Sequence, residues 1–387
     1  MKKTLLLLFG LCTYYFSAAQ ITLDFSNSPS IAQCASNDTF ALLKRTNLPS
    51  FAPGSDVVWD LTTAQRDDII YRRAYPADNS AYPDASFQIE IFYPFSGLKY
   101  YGNRMQNVTQ DGILSYGVHI DRQAISLALL TGSPSDSLIF NHQNVIYSAP
   151  AHDIKYPMTM SDQWTDDYRF NTSFSLTVGL FGLNNVPGER RTEYIENNEV
   201  VGWGKMKVND KDGNPSPLID VLLVKKIETA KDSFYLGGAP APAQLLTAFG
   251  LTQGQSSISY RYYFYRAGEK SALAEVKFVD DSFTTIEEAL VHQQRLGSTN
   301  AINKPAPASI AIYPNPVSSH TPVIHIDGTD DHYSYQMFNI NGQQINSGTV
   351  NGNGIITLHD NYPAGNYILK LISDKGRYEM KQIQIVN

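Results

Sequence analysis

The chain has 387 residues, enough for two or three domains with cores of their own, and it carries 30 basic against 37 acidic side chains for a formal charge of −7. That balance, with a pI near 5.6, excludes the basic stripe a nucleic-acid partner requires. Aromatic residues make up 12% of the chain, with 24 Tyr and 18 Phe against only 17% charged residues, a composition that favours strands and broad aromatic surfaces.

At the start, Lys2 and Lys3 precede the apolar run from Leu5 to Leu11, and Ser17-Ala18-Ala19 sets small residues at the −3 and −1 positions before Gln20. The run is too short to span a bilayer, so residues 1–19 read as a removable signal peptide cut between Ala19 and Gln20. Cys12 follows the bulky Leu11 without a small-residue lipobox, which argues against a lipid anchor. No later apolar run reaches spanning length, so no direct membrane insertion is expected after cleavage. Cys34 is then the single remaining cysteine, which rules out an internal disulfide and leaves stability to the hydrophobic core. It reads as a partly buried passenger.

From residue 20 to 297 the pattern predicts one β-rich domain, an antiparallel sandwich of unassigned activity. Residues 87–93 and 258–265 alternate apolar and polar, and Ala274, Val276 and Phe278 face away from Glu275 and Lys277. Period two with one polar face is the pattern of antiparallel sheets half exposed to water. Residues 202–208 and 218–227 flank a turn-rich segment and predict a hairpin. Residues 218–224 are apolar at nearly every position, as in a central strand covered on both faces. Thr284 or Thr285 followed by Glu287 and Glu288 has the form of a capping box, with Ile286 and Leu290 on one face and Gly297 as a stop, predicting a closing helix.

Motifs for chemistry are few. The chain holds no His-Glu-x-x-His, Gly-x-Ser-x-Gly, phosphate loop or dinucleotide fingerprint. Asp210-x-Asp212-x-Asn214 begins like a calcium loop, but Pro215 stands where glycine is required and Val221 where glutamate is, so it reads as a turn. Asp162, Asp166 and Asp167 around Trp164 are the better candidate for a structural Ca²⁺, against the plainer reading of a solvated loop. His119 with Asp121 and His152 with Asp153 put a base beside a carboxylate, without a nucleophile motif nearby; His119, His142, His152 and His292 all read as surface or strand histidines. Tyr260, Tyr262, Tyr263 and Tyr265, with Tyr93, Tyr100 and Tyr101, form a candidate stacking platform for sugars or a partner protein, because aromatic rings give large contact area at low entropic cost. The competing reading makes alternate rings core.

Residues 298–309, with Lys304-Pro305-Ala306-Pro307-Ala308, read as an extended linker. Then come Ile310-Ala311-Ile312-Tyr313-Pro314-Asn315-Pro316, a run ending in Asn339-Ile340-Asn341-Gly342, the segment Tyr362-Pro363-Ala364-Gly365-Asn366-Tyr367, and a final strand opening at Lys381. Tyr-Pro-Asn-Pro cannot continue a helix and marks a turn, and Asn341-Gly342 is a strong hairpin signal. Short strands broken by turns every ten or so positions predict a small Ig-like sandwich over 310–387.

This run resembles the type A C-terminal sorting domain of the type IX secretion system of Bacteroidetes. The resemblance implies export through the periplasm to the medium or outer surface, with the secretion machinery and its surface sortase-like protease as partners. Less specifically, residues 156–166, Gly202-Trp203-Gly204-Lys205-Met206 and residues 220–225 resemble an uncharacterised class of Bacteroidetes exported proteins, although the insert from Asp210 to Pro217 replaces the usual glycine-rich turn. That resemblance supplies no activity. Two function classes stand: a non-enzymatic surface module binding glycan, matrix or a partner protein, and a secreted hydrolase of glycosidase or metal-assisted type. Mass spectrometry of the exported protein should find Gln20, open or cyclised, as its first residue; an intact Met1 would refute the signal peptide.

Overall fold

The computed structural model describes residues 21–297, and further along the chain 310–319, 323–327, 332–339, 343–358, 362–373 and 378–386. The signal peptide with Ala19 and Gln20, the linker and the Asn341-Gly342 turn lie outside the described residues. The chain divides into two compact units after Gly297.

The N-terminal unit contains β1 (Asp38–Leu43), β2 (Gly54–Asp60), β3 (Arg66–Arg72), β4 (Ala74–Pro76), β5 (Phe87–Phe95), β6 (Leu98–Thr109), β7 (Gly112–Ile120), β8 (Gln123–Ser126), β9 (Ser137–Phe140) and β10 (Gln143–Lys155). After these come β11 (Gln163–Val178), β12 (Leu183–Lys207), β13 (Ile219–Leu236), β14 (Ala239–Pro240), β15 (Gln255–Tyr265), β16 (Ala274–Phe278) and β17 (Ile286–His292). One sheet of 12 strands runs β3-β1-β17-β16-β15-β13-β12-β11-β9-β8, with β14 beside β13 and β2 beside the end of β12. The second, of 5 strands, runs β10-β7-β6-β5-β4. Within the described residues of this unit the ladders are antiparallel apart from β2 with β12. The protein is all-β.

Periodicity explains the long strands. From Asp166 to Phe174, β11 is buried at even positions and exposed at odd ones, which turns one face to a core and the other to water. The β12–β13 pair is the expected hairpin, closed by a bridge between Asn209 and Pro215. Along β13, Val221, Leu222, Leu223 and Val224 are all buried, since this strand has cores on both sides. One core contains Trp59, Met206, Ile219, Phe264 and Val276 on one face of the large sheet. On the other face, where the 5-stranded sheet packs, lie two apolar clusters, one around Phe95, Phe140 and Phe174 and one around Phe87, Ile154 and Leu222. Gly204 admits β2 at the end of β12, because a Cβ there would sit 2.0 Å from the Val57 carbonyl oxygen.

The capping-box reading of residues 284–296 is overturned: Ile286–His292 is strand β17, inserted between β16 and β1. Ala289, Leu290 and Val291 are buried consecutively, which a sheet with two covered faces accommodates and an amphipathic helix does not. Tertiary pairing overrides local propensity here, and Glu287 meets Lys277 across the strands at 2.6 Å. The polar side of β16 is also drier than expected. Glu275 is buried and held by Arg72 through contacts of 2.5 and 2.7 Å.

Asp38 at the head of β1 is fully buried in an ionic knot. Lys270 Nζ lies 3.1 Å away, Arg295 Nη2 and His292 Nε2 each 3.2 Å, and the Ser271 hydroxyl donates at 2.7 Å. Arg266 donates to His292 Nδ1 at 2.8 Å, which fixes the ring. Burial pushes the Asp38 carboxyl up, but the His292 contact, the Lys270 charge and the Ser271 hydrogen bond outweigh it and hold it well below the usual carboxylate range. Cys34 is fully rather than partly buried beside this knot, and burial pushes its thiol up to about 12. Replacing Asp38 by Asn strands the surrounding cations and should cost about 3–5 kcal/mol at neutral pH, read from urea unfolding. Because the folded-state pKa is depressed, the difference between parent and variant should persist above roughly pH 4 and shrink as pH falls below it. A pH-independent difference would show that the Asp38 charge is not what stabilises.

Candidate functional site

Alternation along β15 splits the candidate tyrosines. Tyr260 and Tyr262 face the Trp59 core, where Tyr262 is 5% exposed and stacks on Phe283 at 4.7 Å. Tyr263 and Tyr265 face the other sheet, stacked on each other at 5.6 Å, with Tyr265 7% exposed. The four therefore form no common platform, because both faces of β15 are covered. Tyr93 and Tyr100 also turn inward, stacked at 5.4 Å.

Tyr101 does reach the surface. On the outer face of the 5-stranded sheet it is 51% exposed, directly across the ladder from Phe92, which is 53% exposed. Their rings meet edge to face at 6.4 Å, and Lys99 Nζ lies 4.3 Å from the centre of the Phe92 ring. Gln123 clamps the Tyr101 backbone, accepting from its N–H at 2.8 Å and donating to its carbonyl at 2.6 Å. Two residues further along β6 the same face carries Asn103, paired across the ladder with His119, which pairs in turn with Asn144. This is a rigid aromatic pair beside a row of hydrogen-bonding side chains. Phe92 was overlooked in the sequence, although it is the aromatic residue on the Gln88–Glu90 side of an alternating strand.

The inner faces hold a polar layer between the two apolar clusters. Lys226 bonds Glu196, which also accepts from the Tyr168 hydroxyl at 2.8 Å. Arg104 pairs with Asp153 at 3.0 Å, and Ser115 and Gln106 donate to the same carboxylate. His152 meets Asp166 at 2.7 Å from the facing sheet. Glu228 lies directly opposite Glu196 in the β12–β13 ladder. Burial, reinforced by the Glu196 charge, pushes the Glu228 carboxyl up. Two carboxylates in unequal surroundings can divide acid and base roles.

The candidate calcium ligands do not converge. Asp162 accepts from the Thr159 N–H at 2.8 Å, Asp166 is buried against His152, and Asp167 points to the opposite side of β11. Period two separates the last two, so they form no cage.

The C-terminal unit has β18 (Ala311–Tyr313), β19 (Val317–Ser318), β20 (Val323–Asp327), β21 (His332–Phe338), β22 (Gln344–Asn351), β23 (Ile355–Thr357), β24 (Gly365–Ser373) and β25 (Tyr378–Val386). Sheets of 3 and 5 strands enclose a core that includes Val317, Ile326, Met337, Leu369 and Ile383. Tyr313 stacks on His325 at 5.3 Å, with Pro314 and Pro316 exposed beside it. Asn315 ties this turn to the last strand, donating to the Gln382 carbonyl at 2.8 Å and accepting from the Gln384 N–H at 2.9 Å, on either side of Ile383 and next to Lys381. Tyr367, two residues after Gly365, is buried, and its hydroxyl donates to the Pro363 carbonyl at 2.7 Å.

Residues 311–386 match the secretion system C-terminal sorting domain family. The C-terminal unit is thus a type IX sorting domain, and the chain is exported by that system to the cell surface or the medium. No curated protein matches the chain.

Glu228 gives a pH test of the polar layer. Its folded-state pKa is raised, so the unfolded chain releases the proton first, and stability should fall as pH rises above roughly 4.3, the ordinary glutamate value. Glu228→Gln should flatten that slope and unfold at higher urea than the parent at pH 7. An unchanged urea midpoint at every pH would remove the basis for unequal carboxylates.

Proposed function

We propose that the mature protein is a surface or secreted binding module whose N-terminal unit takes a glycan on the outer face of the 5-stranded sheet. The carrying observation is the Phe92–Tyr101 pair, held open to solvent by paired strands, with Asn103 two residues along β6 and Asn144 two strands further across the same face. Such rings stack on the apolar faces of sugars while neighbouring amides and the Lys99 ammonium meet hydroxyl or acidic groups. In this reading the signal peptide takes the chain to the periplasm, the sorting domain directs it outward, and the surface protease acts near the linker.

A glycan array probed with the intact mature chain should identify a ligand. Phe92→Ala and Tyr101→Ala should each weaken its binding roughly five- to tenfold, on the order of 1 kcal/mol. Tyr263→Phe, altered inside the sandwich, should bind as the parent does. Equal binding by the two alanine variants would sink the site, and a silent array with glycans and matrix proteins alike would sink the binding role. Deleting residues 310–387 should leave the chain in the periplasm; export without them would contradict the role given to the sorting domain.

The hydrolase reading rests on the Glu196–Glu228 pair, where the raised Glu228 carboxyl is suited to donate a proton. Hydrolysis of a ligand found on the array, lost in Glu228→Gln, would establish it. Ligand bound and recovered intact favours the binding module.

A further inference from the structure

The end of the outer face next to the β7–β8 turn brings together residues far apart in the sequence. His119 from β7, Asp121 from the turn that follows and His142 from the turn before β10 each offer one ligand atom, and those atoms lie within 4.8 Å of one another. His119 Nε2 is 3.4 Å and His142 Nδ1 3.6 Å from the same oxygen, Asp121 Oδ1. Tetrahedral zinc with bonds of about 2.0–2.1 Å requires its ligand atoms to be roughly 3.3–3.4 Å apart, so these contacts need almost no adjustment. The two imidazoles stand edge to face with centroids 4.7 Å apart, which leaves neither ring stacked over the other's nitrogens.

Two side-chain amides orient the ring nearest the sheet. His119 Nδ1 lies 2.8 Å from Asn144 Oδ1, and Asn79 donates its amide to that same oxygen at 3.1 Å while its own oxygen accepts from the Ala81 N–H at 3.0 Å. Asn79 Nδ2 also lies 3.2 Å from His119 Nδ1, and the shorter approach of Asn144 Oδ1 favours the tautomer with the proton on Nδ1, which leaves Nε2 a lone pair on the Asp121 side. Fixing the tautomer through the other nitrogen is how proteins prepare a metal-ligating histidine. Side-chain exposure rises from 15% at His119 to 66% at His142 and 75% at Asp121, so the cluster opens to solvent and a water can take a fourth position.

We propose that His119, Asp121 and His142 form a site for a divalent transition ion of the zinc class. Two imidazoles and one carboxylate select against calcium and magnesium, which prefer all-oxygen shells. The site adjoins the Phe92–Tyr101 face but stands on its own geometry, so its test needs no glycan.

Untagged mature protein, stripped with a chelator, is titrated with zinc chloride against a chromophoric competitor. One ion per chain is expected. His119→Ala and Asp121→Ala should abolish stoichiometric binding, and Asn144→Ala, which removes the amide that orients His119 without removing a ligand, should weaken it about ten- to a hundredfold. Each variant is checked against the parent by its urea midpoint; His142→Ala and Asp121→Ala, at the exposed positions, are the variants least prone to folding loss, and His142→Ala should lose the ion as His119→Ala does. Failure of the parent to bind one zinc, retention of the ion by both histidine variants, or equal affinity for calcium overturns the proposal.

Discussion

Arg190 reaches across the N-terminal sandwich. Its guanidinium grips Asp232 on its own sheet through bonds of 2.8 and 2.6 Å, and a further nitrogen donates to the Pro94 carbonyl of the facing sheet at 2.8 Å. His152–Asp166 and the Tyr265 hydroxyl on the Asp153 carbonyl make similar crossings. A buried charge is tolerable only when matched and hydrogen-bonded, because desolvation of either partner alone costs several kcal/mol. The register of β12 against β13 has to deliver Thr192 opposite Asp232 and Glu196 opposite Glu228. A slip of one residue would turn every one of these groups, and the apolar side chains with them, to the wrong face, so the polar layer and the flanking apolar clusters specify the same register.

That requirement also directs where recognition can occur. The inner tyrosines and charges are largely committed to one another, as in the stack of Tyr168 on Tyr194 at 5.2 Å, and act as structure. The outer face of the small sheet is free of this duty. There, paired strands hold Phe92, Tyr101 and His119 in fixed relation, which would lower the entropic cost of the proposed binding. A chain whose one described cysteine is buried and unbonded relies on such packing for rigidity.

In the C-terminal unit, the residues that mark the export signal are largely structural. Asn315 bonds the backbone of the last strand, and Tyr367 closes a turn on Pro363. The signature therefore records how a small sandwich is fastened.

Period two and turn chemistry made the all-β class, the β12–β13 hairpin and the doubly covered strand around Leu222 legible in the sequence, and the sorting domain was legible through the resemblance of its signatures to a known family. Each depends on neighbours along the chain. Alternation also separates Asp166 from Asp167 and Tyr262 from Tyr263, so two of the candidate sites carried the sign of their own failure. What sequence alone did not decide was which faces of the sheets are covered. Residues 284–296 fit a capped helix locally and became β17 only because β16 and β1 leave a slot with two edges to satisfy. His142 meets His119 and Asp121 only through the pairing of β10 with β7. Contacts between distant strands are set by sheet order, which arises from the packing of the whole unit and has no local signature.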